Sequence, residues 1–119
     1  MDAQILSEAE AAEALFTDPA SRAVYRELVA AALALGPIAI ETKKTCVHLA
    51  RSSAFAGAHP RKGAILVTLK MDRALETPRA RKLEQASKHR WHCDLLLGSP
   101  DEIDQEFRGW LRDAYQLAG

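Results

Sequence analysis

The sequence is poor in the features that usually name an activity. Its six glycines, Gly36, Gly57, Gly63, Gly98, Gly109 and Gly119, are all isolated, which excludes a glycine-rich phosphate loop. Neither a G-x-S-x-G nucleophile elbow nor an H-E-x-x-H zinc helix occurs, and no pair of carboxylates is marked out for acid–base work. Two cysteines, Cys46 and Cys93, are too few for a disulfide framework, so a reducing compartment is the simplest home. No apolar run approaches the roughly 20 residues of a membrane span. The opening MDAQILSEAEAAEAL is acidic and lacks the basic start of a secretory signal. A cytoplasmic protein without membrane contact is the expectation.

What is present is a well-punctuated chain of 119 residues, 48% hydrophobic and 27% charged, too apolar for intrinsic disorder and of a size for one domain. Residues 1–16 read as a short N-terminal helical extension, opened by a capping box from Ser7 to Glu10. Residues 17–119 read as the core. Asp18-Pro19 supplies a cap and a first-turn proline for a second helix, whose Val24, Leu28, Ala31 and Leu35 recur at helical spacing until Gly36-Pro37 stops it.

From Ile38 the period becomes two. Ile38 and Ile40, then Thr45, Val47 and Leu49, then Phe55, Gly57 and His59, then Ile65, Val67, Leu69 and Met71 mark four short strands. Thr77-Pro78 introduces a basic connector, Arg79 to Arg90, with one or two helical turns expected, and a fifth strand follows near Trp91 to Leu97. Ser99-Pro100-Asp101-Glu102 is a second capping box, after which Ile103, Phe107, Trp110, Leu111 and Ala114 trace the apolar face of a last helix. The pattern predicts an α+β, two-layer sandwich: an antiparallel meander of roughly five strands with the N-terminal and C-terminal helices on one face.

The net charge of zero conceals a segregation. Residues 1–41 carry −5 and residues 93–119 carry −4, whereas residues 42–92 carry +9, with twelve bases opposed only by Asp72, Glu76 and Glu84. All four histidines lie in that basic stretch. One reading is simple attraction between acidic helices and a basic sheet. The other is an anion site, because arginine and lysine converge on phosphate or carboxylate. Its candidate lining is Lys44, Thr45, His59, Arg61, Arg79, Arg90 and His92, gathered at one end of the sheet. Nucleic acid is disfavoured: the chain is neutral, aromatics are 6%, and no helix-turn-helix or zinc-finger pattern occurs.

Two other classes stay open. A small hydrolase or transferase would use His92 or Cys46 at the same pocket; Cys46 and His48 stand two apart on one strand and share a face. Cys46, His48 and Cys93 lack zinc-ligand spacing, and a small cysteine packed in a sheet is the plainer reading. No catalytic residue, metal set or cofactor is assigned. Exposed edge strands leave homodimerisation open.

Several stretches together carry a family resemblance. They are Thr42-Lys43-Lys44-Thr45-Cys46-Val47-His48-Leu49, Phe55-Ala56-Gly57-Ala58-His59-Pro60-Arg61-Lys62, Thr77-Pro78-Arg79, Arg90-Trp91-His92, and Ser99-Pro100-Asp101-Glu102-Ile103 through Trp110-Leu111-Arg112-Asp113-Ala114-Tyr115. Over residues 16–118 the chain resembles the bacterial and archaeal family known as Domain of Unknown Function 5655, with Thr77 where serine is common. The resemblance implies a small cytoplasmic domain without an established activity, and it assigns no site residues. The helix–sheet–helix order is also similar to that of frataxin-like iron-handling proteins, whose acidic first helix binds metal. Glu8, Glu10, Glu13 and Asp18 would be the counterparts, which gives a third class, metal handling or protein interaction through acidic helices. That rests on fold analogy alone.

Overall fold

The computed structural model describes residues 9–119. Ser7, the expected cap of the first helix, and the acidic Glu8 lie outside the described residues. Residues 9–14 are helical, and the following Phe16 is fully buried, stacked on Tyr25 with ring centroids 4.3 Å apart.

Helix α1 spans Pro19–Leu33, and its start is built as the sequence implies. Asp18 Oδ1 accepts the Ala20 N–H at 2.9 Å, while Oδ2 accepts the Gly63 N–H at 2.6 Å from a turn 45 residues away. One carboxylate thus caps the helix and pins a hairpin to it. Beside it, the buried Ser21 hydroxyl bonds the carbonyls of Arg61 and Ala64. The hairpin turn at Lys62-Gly63, with the flanking Arg61 and Ala64, is therefore a docking point for α1. Beyond the helix, Gly36 adopts φ +149°, and any Cβ there would collide with the Tyr115 hydroxyl, which donates to the Pro37 carbonyl at 3.0 Å. Only glycine suits both constraints.

The strands are β1 (Ala39–Thr42), β2 (Val47–Ala50), β3 (Ala54–Arg61), β4 (Ala64–Met71), β5 (Ala80–Ser87) and β6 (Arg90–Leu97). They form one antiparallel sheet in the order β1-β2-β3-β4-β6-β5. The class is the α+β sandwich expected, with one element added. The basic connector after Thr77-Pro78 is not a helical linker but strand β5, and β6 lies between it and β4, so the sheet departs from a plain meander. The reason is physical. β5 lies at the sheet edge with seven of its eight residues exposed, so it carries no apolar alternation to announce it, and Arg, Lys, Leu, Glu, Gln and Ala all favour helix in isolation.

A 3₁₀ turn at Pro100–Glu102 leads into α2, Gln105–Leu117. The expected capping box at Ser99 does not form: the Ser99 side chain makes no capping bond, and Glu102 instead accepts the Gly98 N–H at 2.6 Å. The working cap is Asp104, which accepts the Phe107 N–H at 2.9 Å. The cause is that the chain turns at Ile103, buried in the core, before the helix proper begins.

Both helices pack on the same side of the sheet. Register shows which residues they cover. Val47, Ala58, Val67 and Leu95 form one cross-strand row, and Leu49, Ala56, Leu69 and Cys93 form the next; every one is buried. Phe55, 5.4 Å from Tyr115 and edge-on to it, closes this core at a β-bulge between β2 and β3. Among the described residues, no helix covers the opposite face of the sheet. Among the described residues, no helix is long and apolar enough to cross a membrane.

Candidate functional site

Because side chains alternate along a strand, the same register that lines up the core lines up what faces away from it. The central row of the open face runs His48, Gly57, Thr68, Asp94 and Lys82 from β2 to β5. Flanking rows hold His59 beside Leu66 on one side, and Lys70 beside His92 on the other. Gly57, without a side chain, forms a floor. A Cβ placed on it would lie 3.5 Å from His59 Nε2 and 3.6 Å from His48 Cδ2, so both imidazoles lean over the gap.

The result is a hollow of about 230 Å³ between His48, His59, Thr68, Lys70 and His92, floored by Ala56 and Gly57. A second hollow of about 290 Å³ shares Ala54, Lys70 and His92 with it. It continues to the sheet end, bounded by Ser53, Ser87 and Arg90 and by Leu117 and Ala118 at the end of α2. Together they form a groove whose lining carries a lysine, an arginine and three histidines. Among the described residues, no carboxylate lines it. Acids stand just outside the lining: Asp94, which accepts the Thr68 hydroxyl at 2.7 Å, Glu41 opposite His48 and Glu84 opposite His92.

The electrostatics divide the basic residues into two groups. Arg79 is held against α2: its Nη1 lies 3.0 Å from Asp104 Oδ1 and 3.0 Å from Glu106 Oε1, Nη2 donates to the Glu102 carbonyl at 2.7 Å, and the guanidinium sits over Trp110. Arg73 pairs with Asp113 at 3.0 Å. These contacts are the sheet–helix attraction that the charge pattern allowed. Lys70 and Arg90 are different. Among the described residues neither has a carboxylate partner, and Arg90 Nη1 donates only to the neighbouring His89 carbonyl, at 2.8 Å.

Two of the histidines are shifted toward the neutral form. Burial, with Lys43 and Lys70 nearby, pushes His48 below its ordinary value. Burial and Arg61 do the same to His59, against a weaker opposing pull from Asp94. A neutral imidazole offers one N–H donor and can take a second proton when a negative charge arrives.

Of the seven residues singled out from the sequence, three line the groove: His59 and His92 in the first hollow, Arg90 with His92 in the second. The other four stand elsewhere. Lys44 and Thr45 are at the exposed tip of the β1–β2 turn, closed by a Lys43 N–H to Cys46 carbonyl bond of 2.8 Å. Arg61 is exposed at the end of β3, and Nη1 donates back to the Pro60 carbonyl at 2.8 Å. Arg79 is under α2. Sequence proximity to turns does not bring these four into the groove: the register strings them from β1 to β5 along the end of the sheet where β1 and β3 finish and β2, β4 and β5 begin, whereas the groove runs toward the other end, at Ser53, Ser87 and Arg90.

Two lining residues, His48 and Lys70, were not among those seven. Both stand at alternate positions opposite the apolar row of their strand, so writing the rows across the sheet would have found them. Cys46 is buried and lines neither hollow. Cys93 is in the core, its Sγ 3.7 Å from the Arg73 carbonyl, and burial pushes its thiol up from the usual value. Glu13 is paired with Arg26 at 2.8 Å, and Asp18 is engaged as a cap. Among the described residues no group of three or more histidine, cysteine or acidic side chains is arranged to hold a metal ion.

A family profile described as "Domain of unknown function (DUF5655)" matches residues 12–118, nearly the whole chain. No curated protein and no solved structure matches it.

Proposed function

The chain belongs to the DUF5655 family, a domain of unknown function, and on the geometry of its open sheet face we propose that it is a binding module for a small anionic group, a phosphate or a carboxylate. The observation that carries this reading is the groove lining: Lys70 and Arg90 without carboxylate partners among the described residues, three imidazoles, and no acid. A lysine at the junction of the two hollows supplies a point charge, and the Arg90 fork adds directional donors from the hairpin. His48 and His59 donate across the Gly57 floor and become protonated as the anion settles. The apolar residues at the end of α2 leave room for a short uncharged body beyond the charged group.

Thermal-shift titration tests the proposal with inorganic phosphate, sulfate, sugar phosphates, nucleotides and short acyl carboxylates. A ligand at one hundred times its Kd stabilises a fold by about 2.7 kcal/mol, well within reach of the measurement. The expected result is a saturating rise in Tm with at least one anion, lost in Lys70→Met and Arg90→Gln. No shift with any of them, or a shift that both variants retain, overturns the reading.

A further inference from the structure

We propose that the β5 edge pairs with the β5 edge of a second copy of this chain, antiparallel and centred on Leu83, joining two sheets into one. The pairing tract adjoins the groove, which Ala86 and Ser87 of the same strand line, but its argument does not depend on the anion reading. The sheet has two edges. β1 is only four residues long, the usual way of making an edge unattractive, whereas β5 presents eight residues, seven of them exposed. Charged side chains on an edge ordinarily block pairing, so what decides the matter is how these charges alternate.

A two-fold axis perpendicular to the sheet makes the interface isologous, and antiparallel pairing then centres on a single residue. Opposed residues share a face of the sheet, so each possible centre fixes every pair. Centred on Lys82, the strand opposes Lys82 to its own copy; centred on Glu84, it opposes Glu84 to its own copy. Centred on Leu83, each Lys82 faces the Glu84 of the second copy, and the two Leu83 side chains meet. Leu83 is 37% exposed, one of two large apolar side chains left so among the described residues. In cis, Leu83 stands opposite Cys93, and Lys82 and Glu84 stand opposite Asp94 and His92. The leucines therefore meet on the helix side and both ion pairs form on the open side. Irregularities between Ala80 and Lys82 and between Gln85 and Ser87 bracket the regular tract, which confines pairing to this centre.

Sedimentation of the whole chain over a concentration series, with two charge reversals, tests the pairing. The wild type is expected to approach twice the chain mass as concentration rises. Glu84→Lys opposes lysine to lysine twice, and Lys82→Glu opposes glutamate to glutamate twice. Each alone weakens the dimer by about tenfold or more, because symmetry doubles every cross-strand change. Mixed in equal amounts, the two variants are complementary and recover the dimer as a heterodimer. Both positions are exposed, and circular dichroism checks that each variant is folded. A wild type that stays monomeric, variants that dimerise as well as it does, or a mixture that fails to recover the dimer each overturn the proposal.

Discussion

Arg79 and Asp104 are joined at 3.0 Å, and the same guanidinium also binds Glu106, the Glu102 carbonyl and the face of Trp110. The residue that looked in the sequence like a ligand-binding cation is a brace between the start of β5 and the cap of α2. Replacing it by alanine removes a networked ion pair, a carbonyl bond and a stacked ring contact. Because the group is partly exposed, the expected loss is about 1–2 kcal/mol of stability, read as a lower urea midpoint. Anion affinity is expected to be unchanged in Arg79→Ala; a loss of affinity with stability intact would contradict the brace.

Asp18 holds the N–H groups of Ala20 and Gly63, and these bonds keep its carboxyl below the ordinary 3.8. A carboxyl lowered by folding stabilises above its unfolded value and loses that contribution as pH falls through the folded one. Asp18→Ala is therefore expected to be less stable than wild type at neutral pH, with the difference shrinking only as pH drops below about 3.8. Urea midpoints of both proteins across that range check it. A difference independent of pH would mean that the carboxylate is not the cause.

His48 and His59 run the opposite way in pH. Burial, helped by neighbouring cations, holds both below 6.5, so the fold prefers the neutral rings. No penalty exists above that value. As pH falls through about 6.5 the unfolded chain takes up protons first and the free domain loses stability. Sulfate keeps its charge across this range and is the suitable probe: its affinity is expected to rise between about pH 8 and about pH 6, and the rise to flatten in the His48→Asn, His59→Asn double variant. Calorimetric titration at several pH values measures it, and a pH-independent affinity contradicts the coupling.

Gly57 is the floor of the first hollow. A Cβ there makes ordinary contacts with His59 and His48, so Gly57→Val, which suits a strand, is expected to fold. Its added methyl groups occupy the space between the imidazoles. Anion affinity is expected to fall by about tenfold or more, equivalent to about 1.4 kcal/mol, while the urea midpoint changes little. Unaltered affinity would move the site away from the His48–His59 gap.

The sequence carried the helices, five of the six strands and their common buried face because Val24, Leu28, Ile65, Val67 and Leu69 each repeat at a period that only one element satisfies. β5 was illegible for the converse reason: an edge strand wet on both faces has no period. The site was partly legible. His59, Arg90 and His92 could be named as candidates, but their assembly with His48 and Lys70 depends on which strand neighbours which, and β6 beside β4 is a tertiary fact. Arg79 misled because charge in a sequence does not reveal whether a carboxylate will meet it; that depended on Asp104 turning in at the start of α2.

Histidine side-chain NMR is the most direct test of the groove as an anion site. The chain has four histidines, of which His48, His59 and His92 line the first hollow and His89 is exposed at the β5–β6 turn. On titration with inorganic phosphate, the first three are expected to shift together along one saturating curve while His89 stays still. Movement of all four in proportion to added salt, or of none, contradicts the account.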